Sequence, residues 1–469
     1  MLTLGLFSIG LDTYWPQFDG LRDRLLGYQE RIVEKLRTPN LVNAGMVDTP
    51  ERAREAADRF HREGVDLIVL FVSTYALSHT VLPVAQRGGA PVLILNLQPV
   101  AAIDYAKLNA MGDRGRMTGE WLAHCQACVA PEISSVFRRA GVPVHLVTGY
   151  LEDAEAWTEI GEYVAAVRVK RELAELRLGV VGHYYNGMLD VYADLTLLAA
   201  RFGCHFELRE FGELRRGVEE ATNAQIEAKR KEFNTAFTVA EDCGEEELQR
   251  AAMTAVALDT FVDRHQLGAL AYYYEGAGDA DYKRIITSVI PGLTLLTGRG
   301  IPVAGECEVK NALAMKIMDS LGAGGSFAEF YAMDFTDEVI LLGHDGPAHP
   351  RTAAGEVSLV PVPVYHGKPG KGLSIQMEVA NGPITMLSVC EDGHGRVYLL
   401  LAEGESVAGP TLQIGNTNSR YRFPLPIREF MNEWSLAGPS HHCAIGLGHY
   451  GGTLRKLGAL LGMDVITIC

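Results

Sequence analysis

The sequence predicts an α/β protein: two doubly wound parallel-sheet domains followed by an antiparallel, barrel-like β domain. Three observations predict it. Over residues 1–325 short β-rich apolar runs alternate with amphipathic helical segments, the pattern of parallel sheets covered by helices. From about residue 326 helical patterns give way to strands at short, even spacing, separated by Gly, Asp, Pro and Asn turns. Fifty glycines fall mostly at the ends of apolar runs, as α/β loops require.

In the first domain, 1–175, LTLGLFSIG (2–10) reads as a strand and RDRLLGYQERIVEKL (22–36) has helical spacing of its apolar positions. VNAGMVD (42–48) is strand-like. The following helix is opened by Thr49 as N-cap with Pro50 at its first position. DLIVLFVS (66–73) and APVLILNLQ (90–98) are continuous apolar runs, as strands buried on both faces must be.

The second domain, 176–325, opens with the strand in ELRLGVVGH (175–183), followed by strands in CHFELREF (204–211) and LGALAYYY (267–274). A helical stretch over 219–264 covers them. IPVAGECEVKNALAMKIMDSLG (301–322) then supplies a strand end, a loop and a helix. Glu306 therefore falls at the carboxyl end of a strand, where open α/β sheets place ligands. In the third domain, 326–469, strands are expected in VILLGHDG, EVSLVPVPVY, LSIQMEVANG, ITMLSVCEDG, RVYLLLAEG and TLQIGNTN. Long helical patterns are absent until LRKLGALLGM (454–463). No internal repeat is evident.

The 469 residues are too many for one ordinary core, and 48% hydrophobic with 21% charged residues is a soluble globular composition. A formal charge of −16 argues against nucleic acid, which demands clustered Lys and Arg. No apolar run approaches the ~20 residues of a membrane span. The N-terminus lacks a basic signal-peptide region, so the cytoplasm is the expected compartment. Eight scattered cysteines read as thiols rather than a disulfide framework. Cys125-x-x-Cys128 resembles half a zinc site, but there is no second pair at suitable spacing, and it reads as a chance pair.

The chemistry concentrates in four strings: GECEVK (305–310), SFAEFY (326–331), LLGHDG (341–346) and GPSHHC (438–443). Glu306, Glu329, His344 and one of His441 or His442 are a complete oxygen and nitrogen set for a divalent cation, with positions left open for substrate. Mixed hard oxygen and imidazole ligands suit a Mn²⁺-like ion better than a closed zinc site. Each also has a plainer reading. Glu306 beside Glu308 is the kind of loop pair that is usually solvated. Glu329 lies amid aromatics and needs a partner or a proton if buried. His344 could simply close a turn. Adjacent histidines have little structural advantage, so one of the pair can serve as ligand while the other orients or meets substrate. Glu275, after the strand LAYYY, either contacts substrate or turns the chain. GHYGG (448–452) reads as a packing turn, and no dinucleotide fingerprint follows the first strand.

In order and spacing (306 to 329, 23; 329 to 344, 15; 344 to 442, 98) these strings resemble the C-terminal half of the L-arabinose isomerase family, within the fucose/arabinose isomerase group. The resemblance runs over about 295–469 and more loosely over the α/β part. It implies a Mn²⁺-dependent aldose–ketose isomerase with Glu306, Glu329, His344 and His442 as metal ligands and Glu306 with Glu329 as the proton-transfer pair. It also implies a homo-oligomer, a hexamer, in which a neighbouring subunit's N-terminal domain completes the pocket. Tyr14, Gln126, Glu275, Tyr331 and His441 are the expected sugar contacts.

The departures are specific. Gly10-Leu11-Asp12-Thr13-Tyr14 keeps the Tyr of the family's Ser-Gln-His-Leu-Tyr segment without its Gln and His. Gln126-Ala127-Cys128-Val129-Ala130-Pro131 stands where the family has Gln-Thr-Ala-His-Gly-Gly, and Cys307-Glu308-Val309-Lys310 replaces Gly-Asp-Trp-Lys. The metal set is intact while the sugar-contacting segments are rebuilt, so the sugar itself is not specified. Epimerisation of a related sugar by the same enediolate chemistry, or sugar binding without turnover, are the competing readings.

Overall fold

The computed structural model describes residues 2–273, 284–365 and 368–469, which fall into two compact units, Met1–Arg168 and Val169–Cys469. In the first unit β1 (Leu4–Ile9), β2 (Leu41–Val47), β3 (Leu67–Phe71), β4 (Val92–Gln98) and β5 (His145–Tyr150) form one parallel sheet. Its order is β2-β1-β3-β4-β5. The central strand β3 is completely buried, which is why its sequence is an unbroken apolar run. The helix Pro50–Glu63 starts where expected, with the Thr49 side chain accepting from the Arg52 N–H at 3.3 Å, and stops at Gly64 in the left-handed region. It buries Ala53, Ala56, Ala57 and Phe60, one face at helical spacing. Gly5 on β1 lets that face approach, because a Cβ there would stand 2.9 Å from the Phe60 ring.

The second unit lays down β6 (Arg177–Gly182), β7 (His205–Arg209), the two-residue β8 (Thr238–Val239), β9 (Ala269–Tyr273) and β10 (Val303–Ala304). Four of these form a parallel sheet in the order β10-β9-β6-β7. The chain continues through β11 (Gly324–Asp334), β12 (Val339–His344), β13 (Ser358–Tyr365), β14 (Lys368–Gln376), β15 (Gly382–Glu391), β16 (Val397–Val407), β17 (Thr417–Arg422), β18 (His442–Leu447) and β19 (Asp464–Thr467). Six of them close antiparallel into a barrel, β15-β18-β11-β12-β17-β16 and back to β15, with β19 added in parallel to β16. Closure satisfies backbone edges that an open sheet would expose.

The α/β class and the antiparallel barrel are as the sequence predicted, with three local corrections. β13 and β14 do not join the barrel; they pair with each other and with β8 in a separate three-stranded sheet. TLQIGNTN is not a strand over its length, since β17 begins only at Thr417. A helix, Ile427–Leu436, occupies a stretch in which no long helical pattern is expected, burying Ile427, Phe430 and Trp434 at helical spacing.

The helix Val309–Ser320 positions the site. Most of its length is buried, because it packs on β9 and β10 of the parallel sheet and on β11, β15 and β18 of the barrel. Its first turn thus enters where a parallel-strand end meets the barrel. Gly343 on β12 is a second constraint: a Cβ there would lie 2.1 Å from the Thr417 carbonyl oxygen on β17, which is backbone and cannot swing aside. Gly343→Ala is therefore expected to destabilise by about 2–3 kcal/mol and to lower the melting temperature by roughly 5 °C or more. A scan showing an unchanged transition would refute this account of the β12–β17 pairing.

Candidate active site

The loop between β10 and the helix Val309–Ser320 carries the first carboxylates in an uncommon backbone. Glu306 (φ 56°) and Cys307 (φ 59°) both lie in the left-handed region, at a cost of roughly 1–2 kcal/mol each for residues with a Cβ. The Cys307 N–H donates to the Tyr272 carbonyl and the Glu308 N–H to the Gly305 carbonyl, each at 2.9 Å, holding the turn closed. Glu306 and Glu308 are 8% and 1% exposed. They are not the solvated surface pair that their loop setting suggests.

The barrel supplies the other side. β11 runs between β12 and β18, and its Glu329 stands opposite Gly343 on one neighbour and His442 on the other. A one-residue slip of either ladder would send these side chains to the opposite face. Phe327, two residues earlier, contacts both imidazoles, its ring centroid 4.3 Å from His442 and 4.5 Å from His344.

At the centre, Glu306 Oε2 lies 3.3 Å from His442 Nε2 and 3.5 Å from His441 Nε2. Among the described residues, Glu306, His441 and His442 form the group of metal-ligating types whose ligand atoms all lie within 4.8 Å of one another. Glu329 sits at its rim, Oε2 3.9 Å from His441 Nε2. His442 Nδ1 lies 2.5 Å from Glu308 Oε2, and both residues are 1% exposed. With the Nδ1 proton given to that carboxylate, the lone pair of Nε2 is bare, and Nε2 is buried without a hydrogen-bond partner. A buried imidazole nitrogen aimed at a carboxylate oxygen, and backed by a second carboxylate, fits a divalent cation. His441 has a similar arrangement: its Nδ1 is 2.6 Å from Asp190 Oδ2, and its backbone N–H donates to the same oxygen at 3.0 Å.

His344 is placed differently. Its ring is 5.4 Å from that of His442, and its Nδ1 accepts the Gly346 N–H at 3.0 Å. A neutral ring bonded in this way carries its proton on Nε2. The structure thus brings Glu306, Glu329 and both members of the His-His step together, with the His344 ring beside those of Phe327 and His442.

The charges respond to this crowding. Burial raises the Glu329 carboxyl above the ordinary range and Glu306 adds to the rise, against the opposing pull of His442 and His441. Burial disfavours charge on His441, but its hydrogen bonds to Glu306 and Asp190 outweigh that and push it up to about 9.

Of the expected sugar contacts, Tyr331 is on β11 near the cluster, its hydroxyl accepting from Asn416 Nδ2 at 3.0 Å, and burial raises its phenol. Tyr14 lies in the first unit, in a short helical turn just after β1. Gln126 is fully buried there, its Nε2 donating to the Ser73 and Ala123 carbonyls at 2.8 and 3.1 Å. Glu275 lies outside the described residues. Cys125 and Cys128, expected as unlinked thiols, are joined in a disulfide. From sequence Glu308 reads only as a solvated loop partner, and Asp190, Phe327 and the tyrosines following β6 and ending β9 are not singled out. Tyr185 stacks on Tyr273 with ring centroids 4.5 Å apart, and its N–H reaches the Glu306 carbonyl at 3.4 Å. The available signal was HYYNG (183–187), an aromatic run at the carboxyl end of a parallel strand.

A parallel-sheet strand end and a β-barrel thus jointly present carboxylates and imidazoles at one place. Known proteins of similar sequence are L-arabinose isomerases. The chain is 24% identical over 394 residues to the L-arabinose isomerase of Nocardioides sp. (strain ATCC BAA-499 / JS614), covering 81% of this chain and 75% of that one. It is 23% identical over 352 residues to that of Mycolicibacterium smegmatis, covering 72% and 68%. For the Aeromonas salmonicida enzyme the figures are 22% over 438 residues, 88% and 83%. No family model matches. The chain is thus similar over most of its length to L-arabinose isomerases at 22–24% identity, which supports an enzyme of the aldose–ketose isomerase type. No helix among the described residues is long and apolar enough to cross a membrane.

Two outcomes follow from this geometry. Glu308→Ala leaves a buried imidazole N–H without its acceptor. It should destabilise the fold by about 3 kcal/mol and weaken divalent-cation binding roughly 10–100-fold. Denaturant titration and calorimetry read the two effects separately, and neither would change if Glu308 were merely solvated. In the metal-free protein, His441 has a folded-state value raised from 6.5 to about 9. The stability it contributes is therefore fully present below pH 6.5 and is lost as pH rises through about 9. Because the side chain is 36% exposed, solvent screening reduces the effect to about 1 kcal/mol. Melting curves of wild type and His441→Gln should differ at pH 6 and converge near pH 10.

Proposed function

We propose that this protein is a divalent-metal-dependent aldose–ketose isomerase acting on a free sugar or close derivative by an enediol route, in the cytoplasm and as a homo-oligomer. The observation that carries the reading is the bare, buried Nε2 of His442 facing Glu306, with Glu329 3.9 Å from the adjoining imidazole. Glu306, Glu329 and His442 would hold the cation. His441 lies close enough to join them, and His344 would join by exchanging its bond from Gly346 for a metal bond. A bound Mn²⁺-like ion would polarise the sugar carbonyl and stabilise negative charge developing on its oxygens.

The protein's own groups supply the proton transfers. Isomerisation moves one hydrogen between C1 and C2 and one between O2 and O1. Glu329, whose raised carboxyl is a stronger base than an exposed one, takes the C2 proton and returns one to C1. Glu306 passes the hydroxyl proton between the two oxygens. His441, held by Asp190, faces both acids and is placed to hydrogen-bond a sugar oxygen. Tyr331 and the Tyr185–Tyr273 stack offer aromatic surface beside the acids. Tyr14, Gln126 and Glu275 remain the proposed contacts from outside this cluster.

The test is a screen of aldoses and ketoses with added Mn²⁺, with and without chelator, followed by NMR of solvent deuterium at C1 and C2. Conversion that requires the cation and incorporates deuterium is expected. Glu306→Gln and Glu329→Gln should each lower kcat by two to four orders of magnitude, and His442→Ala should lose the metal as well. Metal content and turnover unchanged in Glu306→Gln and His442→Ala would defeat the proposal. Ligand-induced stabilisation without turnover would instead identify a binding protein.

A further inference from the structure

We propose that Asp190 is a positioning residue: its carboxylate holds the His441 ring by Nδ1 so that Nε2 is presented to Glu306 and Glu329, giving the site a second oriented imidazole. The inference rests on the isomerase reading for its catalytic consequence and on geometry for the rest. Asp190 Oδ2 meets His441 twice, at the ring nitrogen (2.6 Å) and at the backbone N–H (3.0 Å), which fixes both the position of residue 441 and the orientation of its ring. Asp190 is itself anchored. The Nζ of Lys310, a residue only 6% exposed, donates to the Asp190 carbonyl at 2.6 Å and lies 3.4 Å from that of Tyr192. Lys310 belongs to the first turn of the helix Val309–Ser320, so the helix that follows Glu306 also sets the carboxylate behind His441. Val191, the next residue in that turn, is fully buried.

Glu308 and Asp190 thus act as a matched pair. Each takes the Nδ1 side of one member of the His-His step, and both Nε2 atoms converge on Glu306 Oε2, at 3.3 and 3.5 Å. A carboxylate behind an imidazole selects the tautomer and the ring direction, and such partners typically contribute 10–100-fold to metal affinity or activity. The two differ in surroundings. Glu308 is buried, whereas the Asp190 side chain is 41% exposed, so Asp190 can be changed with little effect on the core.

The experiment uses full-length Asp190→Ala and Asp190→Asn. Manganese affinity is measured by calorimetry with the metal alone, turnover by steady-state kinetics, folding by melting temperature, and the His441 tautomer by ring nitrogen-15 shifts in metal-free protein near pH 10, where the ring is neutral. Asp190→Ala should keep its melting temperature within a few degrees, lose the Nδ1–H signature, and lose roughly 10–100-fold in Mn²⁺ affinity or kcat. Asp190→Asn, which keeps an acceptor oxygen, should fall between it and wild type. Added formate should recover part of the loss in Asp190→Ala but none in His441→Ala. Affinity and kcat within twofold of wild type, or an unchanged ring signature in Asp190→Ala, overturn the proposal. If wild type converts no sugar, the isomerase reading fails by itself, while the ring shifts and Mn²⁺ affinity still decide for or against Asp190.

Discussion

A buried carboxylate bonded to a buried imidazole, Glu308 to His442, is the contact on which the rest of this site depends. It joins the loop at the end of a parallel-sheet strand to a barrel strand, across 134 residues of sequence. Either group alone in that interior would carry a desolvation cost of several kcal/mol. Together they satisfy each other and leave one nitrogen, His442 Nε2, facing Glu306. The pairing therefore couples packing to chemistry: the interaction that makes burial tolerable also selects which atom is offered to a ligand.

The backbone around it is arranged to the same end. Two consecutive left-handed residues, Glu306 and Cys307, would be unfavourable in a free loop. They persist because the next residues enter a helix that is buried against both the parallel sheet and the barrel, and because Tyr272 and Gly305 bond the turn shut. Strain at this point is offset by burial elsewhere in the second unit. On the barrel, the β11 ladders hold Glu329 opposite His442 in register, so the second acid cannot drift without breaking strand pairing. Burial raises the Glu329 carboxyl, while hydrogen bonds to Glu306 and Asp190 raise His441 against its own burial.

Much of this was legible from the chain itself. The unbroken apolar run of β3 announced a strand buried on both faces, and Thr49-Pro50 announced a helix start, because both signals are local. Glu306, Glu329 and His442 were recognisable by residue type, order and spacing. Glu308 was misread because a Gly-bounded loop normally faces water, and only the barrel packed over it makes it interior. Asp190 carried no local signal, since an aspartate in a turn is ordinary until a distant histidine is set beside it. The separation of β13 and β14 from the barrel was equally invisible, because alternation shows that a segment is a strand and not which strand it pairs with.

The sequence by itself determined the α/β class, the change to β structure near residue 326, and the residue types of the carboxylate and imidazole cluster. These follow from hydrophobic period, turn chemistry and the small set of side chains able to bind a cation. Tertiary structure alone decided which nitrogen of each histidine faces the acids, that Glu308 and Asp190 stand behind them, and that His344 Nδ1 accepts the Gly346 N–H. The physical reason is range. Propensity and burial pattern act over a few residues, whereas the proton positions of an imidazole pair are set by carboxylates that chain topology brings from 134 and 251 residues away.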